Sequence, residues 1–209
     1  MNQALVLVHG IFDTGTIFNK MAHFFKKRGL HSLAPSLHPS SGAEGLEVLA
    51  RQLQQYIDTH IPADQPLNLI GFSMGGLICR YYLQRLGGMQ RVQRFVAISV
   101  PQHGSLLAWF IPNRGCRQMR PGSLFLQDLD RDVASLTAID VLSLWTPFDL
   151  MIIPAKSSVL GVGKELQVPV LLHDWMIKDT RVLTAIASFL SAEQDSTSDT
   201  SDKNMILGK

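Results

Sequence analysis

The 209-residue chain is 46% hydrophobic and 17% charged, with a net charge of +2 at neutral pH. That length and apolar content suit one globular domain with a sizeable core and are too small for two full domains. So balanced a charge argues against nucleic acid or an anionic membrane as the main partner, because neither would be steered to such a surface.

Apolar runs alternate with helical patterns along the chain. Ala4–Val8 reads as a buried strand, residues 17–28 as an amphipathic helix and residues 30–34 as a second strand. Residues 45–59 carry leucines, valine and isoleucine at helical spacing. A third strand is predicted over 67–70, with its helix over 74–86, and a fourth strand over 92–99. Residues 139–146 and 168–172 read as the last two strands, and 181–190 as the closing helix. Strands separated by helices predict an α/β domain over residues 1–190, with a mainly parallel sheet covered on both faces. In such sheets ligands bind beyond the carboxyl ends of the strands.

Residues 104–138 interrupt this rhythm. They hold Leu106, Leu107, Trp109, Phe110 and Ile111, then Arg114, Arg117 and Arg120, then a short helix for which Ser123 is the expected N-cap. An insertion this apolar either covers the site and supplies an acyl pocket or packs as an ordinary crossover. Ser, Thr and Asp dominate residues 191–202, so 191–209 is expected to be a disordered tail. The apolar run Ala4–Val8 is too short for the core of a secretory leader. No stretch reaches membrane-spanning length. The expected location is the cytosol. Cys79 falls inside a predicted helix as a small core residue, and Cys116 falls in a loop-like stretch as a free thiol; nothing in their spacing requires a disulfide or a metal. His23, His31, His38 and His60 have no shared metal-ligand spacing, so no metal is expected.

The chemistry-bearing pattern is Gly71-Phe72-Ser73-Met74-Gly75-Gly76, set between a strand and a helix. A serine at such a turn projects its hydroxyl from the sheet, and the glycines leave the space the sharp turn needs. Ser73 is the candidate nucleophile. It requires a general base, a group that orients the base, and amide donors for the oxyanion. His173 ends an apolar run before the last helix and has no competitor beyond residue 103, so it is the expected base. Asp149 follows the preceding predicted strand and is the expected acid. Asp140 stands at the opposite end of that strand, Asp174 adjoins the base, and Asp128, Asp130 and Asp132 lie in the insertion. The expected oxyanion donors are the amides of Met74, after the nucleophile, and Ile11, in Val8-His9-Gly10-Ile11-Phe12. His9 is expected to hold that loop by hydrogen bonding. Phe12, His103 and Trp109 are the expected substrate-pocket residues.

With these motifs in order, the chain resembles the α/β-hydrolase superfamily, in particular small bacterial triacylglycerol lipases and related esterases. The matching residues are Val8-His9-Gly10-Ile11, the serine turn, Val100-Pro101-Gln102-His103-Gly104-Ser105, Pro147-Phe148-Asp149 and His173. The resemblance spans most of residues 4–190. It implies a central, mostly parallel sheet and ester hydrolysis through an acyl-enzyme, without a cofactor. Phe72 stands where many lipases place a histidine. The expected function is a serine hydrolase of acyl esters or lipid-like esters. An acyltransferase with the same three residues and a non-catalytic lipid-binding module are the alternatives. The motifs leave the oligomeric state open.

Overall fold

The structure, a computed structural model, describes residues 3–192. Six strands form one sheet. β1 (Ala4–Val8) is followed by a 3-10 turn over Gly15–Phe18 and α1 (Asn19–Lys26), then β2 (Ser32–Leu33) and α2 (Leu46–His60). β3 (Leu67–Phe72) leads into α3 (Met74–Arg85), and β4 (Val92–Ile98) into the insertion, which contains α4 (Arg114–Gln118) and α5 (Leu124–Asp130). β5 (Asp140–Trp145), β6 (Lys164–Gln167) and α6 (Thr180–Ser191) complete the domain. The strand order is β2-β1-β3-β4-β5-β6, and each neighbouring pair is parallel. The expected α/β fold with a parallel sheet is the one observed.

Alternation along the strands divides the interior into two cores. Val6, Val8, Leu69, Phe95 and Val141 face one side, where α2 and α3 pack; Leu5, Leu7, Ile70, Val96 and Leu144 face the other, where α1 and α6 pack. A period of two in each strand is what a sheet buried on both faces demands. The helices answer with a period near 3.6: α2 buries Leu46, Leu49, Ala50, Leu53 and Ile57. α6 buries Val182, Leu183, Ile186 and Leu190, a gross gain of roughly 6–12 kcal/mol before chain entropy is counted. Ser123 caps α5, its Oγ accepting from the Leu126 amide at 3.3 Å.

Two predicted strands are corrected. Residues 168–172 are not a strand; β6 lies just before them, at Lys164–Gln167. Pro169 has no amide to donate, and the Val170 amide turns back to Val168 O at 2.9 Å, so the ladder stops. β6 is instead an exposed edge carrying Lys164 and Glu165, the kind of charge that discourages further strand pairing. The strand predicted over 30–34 shrinks to two residues before Pro35. Cys116 lies buried in α4 rather than in a loop, and both cysteines are free. The tail expected beyond residue 192 lies outside the described residues. Among those residues, no helix is long and apolar enough to cross a membrane.

Candidate active site

The sheet order reverses at β1, whose flanking connections carry α1 to one face and α2 to the other. The carboxyl ends of β1 and β3 therefore border a crevice. β1 delivers residues 9–12 to it and β3 delivers Ser73. Ser73 is 8% exposed and has φ +52° and ψ −127°. A non-glycine residue persists in so sparse a region only when its surroundings over-determine it. Here its amide donates to Ile98 O at 2.9 Å and its carbonyl accepts from Gly76 N at 3.0 Å. The start of α3 lies hard against β1: a Cβ on Gly75 would stand 2.1 Å from Val8 O.

Asp149 and His173 are joined across 24 positions of sequence. His173 Nδ1 lies 2.8 Å from Asp149 Oδ2, and both groups are buried. This bond places the imidazole proton on Nδ1 and leaves Nε2 as the basic nitrogen. Asp149 Oδ1 accepts from the amides of Met151 and Ile152, each at 2.9 Å. One carboxylate thus caps its own turn and orients the imidazole. Burial alone would raise its pKa; the His173 bond and charge, with the two amides, outweigh burial and hold it below the usual value.

Three side chains that the motif reading gave no role complete this frame. Phe72 packs beside the imidazole, ring centroids 4.8 Å apart. Thr146 Oγ1 donates to Val170 O at 2.6 Å and accepts from Val170 N at 3.2 Å, tying the loop of Asp149 to the segment before His173. Ser105 Oγ donates to Met151 O at 2.8 Å and accepts from Ile153 N at 3.0 Å, tying the insertion to the same loop. Such partners lie tens of residues apart, and no local spacing announces them. Phe72 was visible only as the residue filling a position where many lipases have histidine.

His9 is fully buried. Its Nε2 accepts from Leu37 N at 2.9 Å, so Nδ1 carries the proton and donates to Gly10 O at 2.8 Å. The ring pins the loop of Ile11 to the segment after β2, as expected of it. Burial depresses its pKa, opposed by the Gly10 bond and assisted by His38. Met74 opens α3, where the first amides of a helix have no carbonyl partner within it.

Two cavities meet at Ser73. The larger, about 450 Å³, is bordered by Phe12, Asp13, His173, Asp174, Trp175 and Lys178. The smaller, about 70 Å³, is bordered by Leu107, Ala108, Ile111, Cys116 and Met119 of the insertion and by Ile152. Ile11, Ser73 and Met151 border both. The Asp13 carboxyl is raised by burial and then by repulsion from Asp174. Ser73, Asp149, His173, Ile11 and Phe12 are thus brought together. His103 and Trp109 are not: neither borders the two cavities. His103 Nε2 lies 3.1 Å from Val159 O and its Nδ1 3.6 Å from Asp130. Trp109 is 57% exposed, with the Arg120 guanidinium 4.3 Å from its ring. The insertion wall is built from smaller neighbours of Trp109, because its own ring is turned outward onto that cation.

A human protein named lysosomal thioesterase PPT2 is 29% identical over 117 residues, which cover 52% of this chain and 38% of that protein's length. Its mouse counterpart is 28% identical over the same length. The mature lipase BlEst2 of Bacillus licheniformis has a TM-score of 0.72 at 18% identity, covering 90% of this chain and 92% of its own. A pyrethroid hydrolase of Sphingobium faniae has a TM-score of 0.62 at 17% identity, covering 91% and 98%. These two likenesses concern the fold. The relatives named lysosomal correct the cytosolic location expected from the sequence; the shortness of one apolar run was too slender a basis for it. The model of the family described as palmitoyl protein thioesterase matches residues 4–134, from β1 through the insertion and more than half of the chain, and this protein belongs to that family.

Proposed function

We propose that this protein is a serine hydrolase that cleaves acyl esters and thioesters through an acyl-enzyme. The observation that carries the reading is the buried bond between His173 Nδ1 and Asp149 Oδ2, 2.8 Å long, on the cavity that Ser73 borders. Membership of a thioesterase family and a lipase-like fold support it. His173 Nε2 takes the proton of Ser73 Oγ as that oxygen bonds to the acyl carbonyl carbon. Asp149 keeps the imidazole in the right tautomer and balances the imidazolium charge. The amides of Ile11 and Met74 are the proposed donors to the carbonyl oxygen as it becomes an anion. When the tetrahedral species collapses, the bond to the leaving oxygen or sulfur breaks and the leaving atom receives the proton from Nε2. Water then gives a proton to Nε2 as its oxygen attacks the acyl carbon, the carboxylic acid departs, and Ser73 Oγ recovers its hydrogen. Every proton is accounted for among these residues, substrate and water.

Ser73→Ala should lower kcat/KM for acyl p-nitrophenyl esters and acyl thioesters by on the order of 10⁴–10⁶. A fluorophosphonate should label the unmodified protein and not the variant. Near-normal turnover by Ser73→Ala would overturn the proposal.

A further inference from the structure

We propose that Asp13 is a specificity-determining residue: its carboxyl accepts a hydrogen bond from an N–H group that the leaving group carries three bonds from its leaving atom. The inference rests on the hydrolase reading and deepens it by naming the class of leaving group.

Asp13 reaches the site through an unusual turn. Phe12 has φ +62°, a region that a bulky side chain rarely occupies, and its amide donates to Ser40 O at 2.9 Å. The Asp13 amide turns back to Gly10 O at 3.4 Å. A backbone outlier held by its surroundings points to function, and what this one achieves is position. A Cβ placed on Gly10 would stand 3.1 Å from Asp13 Oδ2 and 3.2 Å from Ser73 Cβ, so carboxyl and nucleophile flank one narrow gap. Asp13 borders the larger cavity together with His173, and neither borders the smaller. The proton donor must reach the leaving atom, so the leaving group emerges beside His173 and passes Asp13.

That cavity is walled mainly by apolar side chains, among them Phe72, Leu150, Leu171, Leu172 and Trp175. In such a space the few polar groups fix orientation. Ser73 and His173 are committed to the reaction, and Asp174 and Lys178 are exposed, whereas Asp13 is half-buried. Among the described residues the Asp13 carboxyl has no hydrogen-bond or ion-pair partner; Asp174, His173 and Lys178 act on it through their charge alone. In either protonation state one of its oxygens accepts. An N–H group brought between apolar walls loses water and needs that acceptor. A nitrogen three bonds from the leaving atom lies roughly 3–4 Å from it, which matches the short step from Ser73 to Asp13. Two kinds of thiol carrier have this spacing: a cysteine residue in a peptide, through its own backbone amide, and an amide of 2-aminoethanethiol.

The test compares kcat/KM for S-octanoyl-N-acetyl-2-aminoethanethiol with that for its ester isostere, the octanoyl thioester of 2-acetoxyethanethiol, which has oxygen in place of the N–H. The unmodified protein should prefer the amide by at least about tenfold. Asp13→Ala should bring the ratio close to one, and Asp13→Asn, which keeps a neutral acceptor, should leave it intermediate. The same pair built on capped cysteine, N-acetyl-S-octanoylcysteine methylamide and its ester isostere, separates the two carriers: the one whose ratio depends more on Asp13 is the carrier the site reads. Melting temperature and fluorophosphonate labelling establish that each variant is folded with a reactive serine. Equal turnover of amide and isostere on both carriers by the unmodified protein overturns this inference without any variant. A preference that survives Asp13→Ala while Ser73 still labels overturns it as well. Absence of labelling and of turnover on every thioester overturns the hydrolase reading, and this inference with it.

Discussion

At the scale of single residues, buried titratable groups couple the site to pH. His9 is held neutral between the Leu37 amide and the Gly10 carbonyl. Its folded pKa lies below its ordinary value of 6.5, with burial the largest cause. A group depressed in this way contributes stability that is present above the unfolded value and lost as pH falls through the folded one. Asp149 obeys the same sign in a lower window, beginning near its ordinary value of 3.8. Asp13, raised chiefly by burial, has the opposite sign: its contribution is present below 3.8 and lost as pH rises through its folded value. As pH falls from 6.5 to 5 the His9 contribution is the one being lost, while Asp149 begins to titrate only near 3.8 and Asp13 acts in the opposite sense. The melting temperature should fall across that interval, and His9→Gln, which keeps an acceptor for Leu37 but cannot gain a proton, should fall less. Differential scanning calorimetry at pH 7.5 and 5 reads the comparison directly.

At the scale of elements, the serine turn depends on close approach of α3 to β1. Gly75→Ala places a methyl group 2.1 Å from Val8 O and 2.5 Å from His9 O. Both obstacles are backbone, and they lie in the strand and loop that also carry Ile11. The substitution should cost about 3 kcal/mol, the upper end of what overpacking costs, because neither partner can rotate away. The midpoint of urea unfolding should drop accordingly, with unchanged slope. The same packing logic explains where element prediction failed. Residues 168–172 had the apolar content of a strand, but Pro169 removed the donor on which pairing depends. Val168 and Val170 remain buried against α6 as loop residues.

At the scale of the whole molecule, the two cores enclose each face of the sheet and leave the working groups on the rim between strands and helices. Cys79 sits inside one core, and burial pushes its thiol well above the ordinary range. Cys116 is 2% exposed, with its thiol also raised chiefly by burial. Thiolate is the reactive form, so neither thiol should react appreciably with a disulfide reagent in the native protein at pH 7.5. Both should react rapidly in denaturing urea, making the reaction a monitor of global unfolding. Two fast equivalents in native buffer would contradict the packing of α3 and α4.

The alternation of apolar runs and helical patterns was enough to establish a parallel α/β sheet, because period two and period 3.6 follow from backbone geometry alone. The serine turn was equally legible, since its glycines and its place between strand and helix are local. Asp149 and His173 were legible as a pair only through chain order, and their contact is a product of β5 and β6 lying side by side. Cavity walls were legible only in part: Ile11 and Phe12 border the larger cavity as their place after β1 suggested. His103 and Trp109 had suitable composition and position, yet Val159 and Arg120 drew them elsewhere. Leu107 and Ile111 were marked only as part of an apolar insertion, and Met119 and Met151 gave no sign beyond being apolar. Sequence by itself determined which elements form and which residue types can do the chemistry, because both depend on neighbours along the chain. Only the tertiary structure decided which side chains meet at Ser73, because those contacts join loops from different strands, and exposure at a strand end depends on what the rest of the chain folds against it.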